Sequence, residues 1–245
     1  MLRREWIPRW SERLGRNMRL VVWGHYGRPV LGFPSGDQPE EEEWEYEKYH
    51  AIDALSDALD RGDLKLYTVM SADRNGLLNA CLSPTERALS QRLYDEYIRW
   101  EVIPFIHEHC TKDPRITTIG PAMGAYHALN TLLKHPDVVR ACCALSGTFD
   151  QRIHMGNEYP NDFYFNNPPD YFPNIDQDEI LRDLHRSRVR FVTSTNEDAK
   201  PSYAMNKLLV MKGIDSLVDN WGLAGGKQWG YWAAQMRKFL IEEPI

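Results

Sequence analysis

Long hydrophobic runs are absent from this chain of 245 residues. No stretch approaches the roughly eighteen apolar residues of a membrane span, and the opening MLRREWIPRW carries positive charge without the apolar core of a secretion signal. A surplus of basic charge is missing too. Lys and Arg number 29 against 35 Asp and Glu, a formal net charge of −6, which excludes nucleic acid as the main partner because phosphate binding needs a concentrated basic face. Cysteine is scarce: Cys81, Cys110, Cys142 and Cys143 show no metal-ligand spacing, nor do the eight histidines. The adjacent pair Cys142 and Cys143 lies in an apolar run away from any basic or helix-start environment, so both read as buried, reduced packing thiols. A cytoplasmic protein without metal, cofactor or membrane contact is the expectation from these absences.

What is present fits one soluble domain over residues 1–245, 42% hydrophobic and 26% charged. Short apolar runs at 19–23, 30–33, 64–69, 116–119, 141–145, 189–194 and 217–220 alternate with helical patterns at 51–61, 84–109, 125–135, 179–186, 203–213 and 230–241. That alternation predicts an α/β fold, a mostly parallel central sheet with helices on both faces. Ser83-Pro84-Thr85-Glu86 supplies a cap, a proline at the first helical position and an acid in the first turn, and Gly213 stands where the 203–213 helix should stop. The stretch 151–178, rich in Asn, Pro, Asp and aromatics, reads as a structured excursion from the sheet. The acidic run at 40–43 reads as a solvated charge run.

The most informative segment is Ile116-Thr117-Thr118-Ile119-Gly120-Pro121-Ala122-Met123-Gly124, which leads into Ala125-Tyr126-His127-Ala128. An apolar strand enters a Gly-x-x-x-Gly turn and leaves as a helix, the setting of a nucleophile elbow. The central position needs a serine, and here it is Ala122, without an atom able to attack a carbonyl.

The stretches GRPVLGFPSGD at 27–37, GPAMGAYHALN at 120–130 and YFNNPPDYFP at 164–173, with Trp221, Trp229 and Trp232 near the end, resemble the putative-esterase (esterase D-like) family of the α/β-hydrolases. The resemblance runs in order along nearly the whole chain and implies that family's fold. It places Asp198 at the acid position and Lys227 where the family carries histidine, so the triad is degenerate at Ala122 and Lys227. It further implies an oxyanion pocket from Ser35, Gly36 and the Met123 amide. The excursion with Tyr164 and Asn166 reads as a wall near that pocket or a contact to another subunit, and Trp229 as packing over the site region. If Asp198 and Lys227 keep triad proximity, they form an ion pair. His127 reads as a packing or hydrogen-bonding residue and Ser146 as a turn residue.

Three functions stay open. The chain is a non-hydrolytic pseudoenzyme or binding and assembly protein, an inactive Ser-to-Ala form of a carboxylesterase, or a lyase-like enzyme using Lys227. Its partners would be a small ester-like ligand, another protein or a second copy of itself.

Overall fold

The computed structural model describes residues 2–36, 44–110 and 115–245, so Asp37 and the acidic run at 40–43 lie outside the described residues. Eight strands form one sheet in the order β1-β2-β4-β3-β5-β6-β7-β8. They are β1 (Arg4–Ser11), β2 (Arg16–Trp23), β3 (Arg28–Gly32), β4 (Leu64–Val69), β5 (Ile116–Pro121), β6 (Val139–Leu145), β7 (Arg188–Thr193) and β8 (Asp215–Asn220). Strands β3 to β8 pair in parallel, while β1 and β2 form an antiparallel edge. All seven strands read from the sequence are present.

Strand β1 is the one the sequence reading missed. Its charges, its Pro8 and its mostly exposed positions give no apolar alternation to detect. An edge strand needs none, because β2 covers only one of its sides.

Neighbouring residues on the central strands face opposite layers. Val22, Leu31 and Cys142 join one buried cluster, whereas Val21, Val30, Ala141 and Cys143 join the other. Helix α1 (Glu45–Lys48) and α2 (Ala51–Arg61) lie early in the chain. The first cluster is covered by α3 (Pro84–Tyr97), α4 (Ile103–His109) and α5 (Met123–Lys134), the second by α2 and the segment near Trp232. The predicted 84–109 helix is α3 and α4 joined through a π-turn at Ile98–Val102. Pro104, just beyond it, cannot donate to the carbonyl four residues back, and the wider turn accommodates that gap.

Both predicted caps are in place. Ser83 and Glu86 form a reciprocal capping box. Gly213 follows α9 (Lys200–Met211) at φ 75°, where a side chain would be strained. The excursion contains α6 (Asn161–Tyr164) and α7 (Pro168–Tyr171), ahead of α8 (Asp178–Leu184); the chain closes through α10 (Trp229–Arg237). Among the described residues no helix is long and apolar enough to cross a membrane.

Burial pushes the Cys142 thiol up to about 12 and that of Cys143 well above its usual range. Cys110 is also buried and donates to the Gly27 carbonyl at 3.1 Å, which leaves Cys81 exposed. A thiol-disulfide reagent at neutral pH should therefore titrate Cys81 alone in the native protein and all four thiols in denaturant. Rapid native labelling of Cys142 or Cys143 would contradict this packing.

Candidate functional site

Ala122 sits at the junction of β5 and α5 with φ 50° and ψ −113°, a conformation that costs about 1–3 kcal/mol for a residue with a side chain. Its surroundings dictate it. A Cβ on Gly120 would lie 2.4 Å from the Gly124 carbonyl carbon, and one on Gly124 would lie 2.5 Å from the Pro34 oxygen. Only glycines let α5 start this close to the strand ends. The Ala122 amide donates to the Leu145 carbonyl at 2.9 Å and its own carbonyl accepts from Ala125 at 3.1 Å.

The neighbouring amides already have acceptors. Met123 N–H donates to the Ser35 carbonyl at 3.1 Å. The Ser35 amide donates to Glu45 Oε2 at 2.7 Å and its hydroxyl to Glu45 Oε1 at 2.9 Å. Glu45 is almost fully buried, and its charge adds to burial in pushing the Tyr46 phenol well above its ordinary value. Gly36 packs over Met123, where an added Cβ would meet the Met123 side chain at 2.9 Å. Ser35, Gly36 and Met123 thus converge as expected, but with the Ser35 carbonyl turned toward the Met123 amide. An oxyanion hole needs that amide directed at an empty position.

The acid and base positions are arranged differently from the expectation. Asp198 is exposed, and its Oδ1 accepts from the Lys200 amide at 3.1 Å. Lys227 is exposed as well, and among the described residues no ion pair joins it to Asp198. The expected ion pair is therefore corrected: the Asp198 carboxylate caps the first turn of α9 instead of facing Lys227. Glu197 is the carboxylate that turns inward. Its Oε1 accepts from the Thr193 hydroxyl at 2.7 Å and the Ser194 amide at 2.9 Å, while Oε2 is buried without a hydrogen-bond partner among the described residues. The two loops still meet, through Asn196 Nδ2, which donates to the carbonyls of Gly225 at 3.1 Å and Leu223 at 3.3 Å.

Of the expected pocket wall, Trp229 stands on the elbow's side of the sheet. It stacks on Tyr49 at 5.4 Å and meets Tyr46 edge-on, and it packs with Ala122 against one buried cluster. Tyr164 and Asn166 go elsewhere. The Asn166 carbonyl accepts from the Tyr126 hydroxyl at 2.6 Å, and its Oδ1 accepts from Lys134 at 2.9 Å. Tyr164 accepts from Asn174 at 2.9 Å and lines a groove with Leu133 and Phe165. Both residues therefore fasten the excursion along α5 and do not wall the elbow.

Two residues read from the sequence, His127 as a hydrogen-bonding residue and Ser146 as a turn residue, have features that the sequence did not announce. His127 and Asp73 form a pair at 2.9 Å, with side chains only 2% and 1% exposed. Asp73 lies 54 residues away in a short 3-10 turn, so no local pattern announces it. Ser146 adopts φ 53° at the end of β6, and its hydroxyl accepts from the Trp232 indole at 3.1 Å. The expected turn role thus comes with backbone strain.

The family is defined by comparison as well as by geometry. The putative-esterase family model matches residues 11–242, and the chain belongs to that family. Its fold is that of a ferulic acid esterase structure, at 16% identity and a TM-score of 0.73, with 98% of this chain and 97% of that one covered. An S-formylglutathione hydrolase from Agrobacterium tumefaciens matches at 15% identity and a TM-score of 0.67, covering 98% and 93%. The S-formylglutathione hydrolase FrmB from Staphylococcus aureus matches at 13% and 0.67, covering 97% and 94%. A search of curated proteins finds no match.

Replacing His127 and replacing Lys227 should give opposite results. His127→Leu strands the Asp73 carboxyl in the core and should cost about 3 kcal/mol or more. Lys227→Ala removes an exposed side chain and should change stability by less than about 0.5 kcal/mol. Denaturant melts of the two variants check both; a strongly destabilised Lys227→Ala would mean that the lysine carries a contact absent here.

Proposed function

We propose that this chain is a non-hydrolytic member of the esterase family, a binding or assembly protein on a hydrolase scaffold. The observation that carries the reading is the elbow itself: a methyl group stands at the strained position, and the adjacent Met123 amide is occupied by the Ser35 carbonyl. Hydrolysis of an ester requires an attacking oxygen, a proton acceptor near neutral pKa and donors aimed at the developing oxyanion. Ala122 offers no oxygen, and Lys227 at the expected base position has no imidazole chemistry. Lys227 is also exposed, without the desolvation that makes a lysine a Schiff-base nucleophile, which weighs against the lyase-like reading.

The inactive-carboxylesterase reading is separated by one substitution. The protein should neither hydrolyse p-nitrophenyl esters nor react with a fluorophosphonate probe, and Ala122→Ser should leave both at background because the Met123 amide and the base position stay unsuited. Fluorophosphonate labelling of the Ala122→Ser protein at residue 122, with ester turnover, would establish a serine esterase in inactive form and overturn the proposal.

A further inference from the structure

Strand β1 ends the sheet, and among the described residues no strand covers its outer side. One bond fixes which of its backbone groups are open. The Gly24 amide donates to the Arg3 carbonyl at 2.9 Å, in the register that sets Arg4 opposite Trp23. Backbone groups alternate along an antiparallel strand, so the odd-numbered residues of β1 bond to β2, while Arg4, Trp6, Pro8 and Trp10 turn their groups outward. The same four residues share one face, on which Trp6 is 52% and Trp10 56% exposed. Two indoles standing in water beside an open backbone mark a surface that gains from being covered.

The strand is complementary to itself. A second copy can pair antiparallel with it about a two-fold axis perpendicular to the sheet, and opposed residues then share a face, so the axis passes through a residue position. With the axis at Ile7, Glu5 stands opposite Arg9 of the second copy, Trp6 opposite Pro8, Arg4 opposite Trp10, and Ile7 opposite its own equivalent. Arg9 is exposed and lies over the Phe105 ring at 5.0 Å, with no ion pair among the described residues. Glu5 meets Arg3 at 2.7 Å and His109 at 3.4 Å on its own chain, and the incoming Arg9 adds a partner from the open side. Ile7 is already opposite the buried Leu20, so the apolar row continues from one sheet into the next. Other positions of the axis lose this match. At Glu5 or Arg9 like charges oppose each other, and at Trp6 or Pro8 a charge opposes Ile7. Pro8 lacks an amide hydrogen on the open side, which disfavours strand addition in an arbitrary register. In the Ile7 register the Trp6 amide still donates to the Pro8 carbonyl, and Arg4 and Trp10 exchange both of their bonds.

We infer that the chain forms a two-fold dimer through β1, in which the two sheets join into one. The surface lies at the edge of the sheet, several strands from the elbow, and the inference stands whether or not the chain hydrolyses esters.

Sedimentation velocity of the whole chain tests it. A dimer that is populated at about 100 μM and dissociates on dilution is expected. Arg9→Glu and Glu5→Arg each set like charges opposite one another and should raise the dimer dissociation constant at least about tenfold. An equimolar mixture of those two variants should associate again, because every Glu then opposes an Arg. Trp6→Ala gives an independent loss of association, and Leu217→Ser, an exposed position on β8 at the other end of the sheet, should leave it unchanged. Circular dichroism establishes that each variant is folded. A monomer at about 100 μM overturns the inference and leaves the Trp6 and Trp10 face to a different protein. A dimer that survives both charge reversals overturns it too, as does one lost in Leu217→Ser and kept in Trp6→Ala.

Discussion

The structure depends most on the close approach of two backbones where β5 turns into α5. Gly124 lies against the carbonyls of Phe33 and Pro34, and Gly120 lies against Gly124, with no room for a side chain at either position. That contact seats α5 on the sheet, and α5 buries ten of its twelve residues. Burial on this scale, at about 1.5–3 kcal/mol for each large apolar side chain, easily offsets the strain at Ala122. The same contact brings Ser35 alongside Met123. The conformation of the 33–36 segment is therefore set by helix packing, and the hydrogen bond that occupies the Met123 amide follows from it.

The buried polar groups around α5 extend that constraint outward. His127 reaches Asp73, Tyr126 reaches the Asn166 carbonyl, and Lys134 meets both Asn166 and Asp95. Asp95 is held below the usual carboxylate range: its burial opposes ionisation, but His135 and Lys134 outweigh that cost. One helix thus anchors the excursion, the turn carrying Asp73 and the α3 layer. Tyr164 and Asn166 serve this anchoring, which explains why an Asn and aromatic rich segment can be well ordered without bordering the elbow.

Much of this was legible in the sequence, and the parts that were not share a physical reason. The Gly-x-x-x-Gly turn, the Ser83 cap and the Gly213 stop are local signals, in which a residue type is demanded by its own backbone. The parallel strands were legible because burial on both faces makes them apolar throughout. Edge strand β1 is half solvated and lacks that signature. Glu45 and Glu197 were missed because whether a carboxylate points inward depends on donors elsewhere in the chain or on one residue of turn geometry. Neighbouring acids at 197 and 198 are equivalent by composition, and only the turn after β7 decides that Glu197 faces Thr193 while Asp198 caps α9.

That local choice has a consequence for the whole C-terminal edge of the sheet. Contact between the 194–198 and 222–226 loops is carried by amides bonding to carbonyls, the Asn196 side chain to Leu223 and Gly225 and the Thr195 main chain to Gly222, not by opposite charges. Amide-to-carbonyl bonding is insensitive to pH and largely to salt, and it fixes loop shape without presenting a reactive group. The Ser35 and Glu45 contacts act alike, since a carboxylate accepting from an amide and a hydroxyl has its strongest hydrogen-bonding capacity used internally. A working hydrolase leaves such donors aimed at empty space and tolerates the resulting cost, because the transition state satisfies them. In this chain the Ser35, Glu45 and Asn196 polar groups are turned on one another and contribute to the cohesion of that edge.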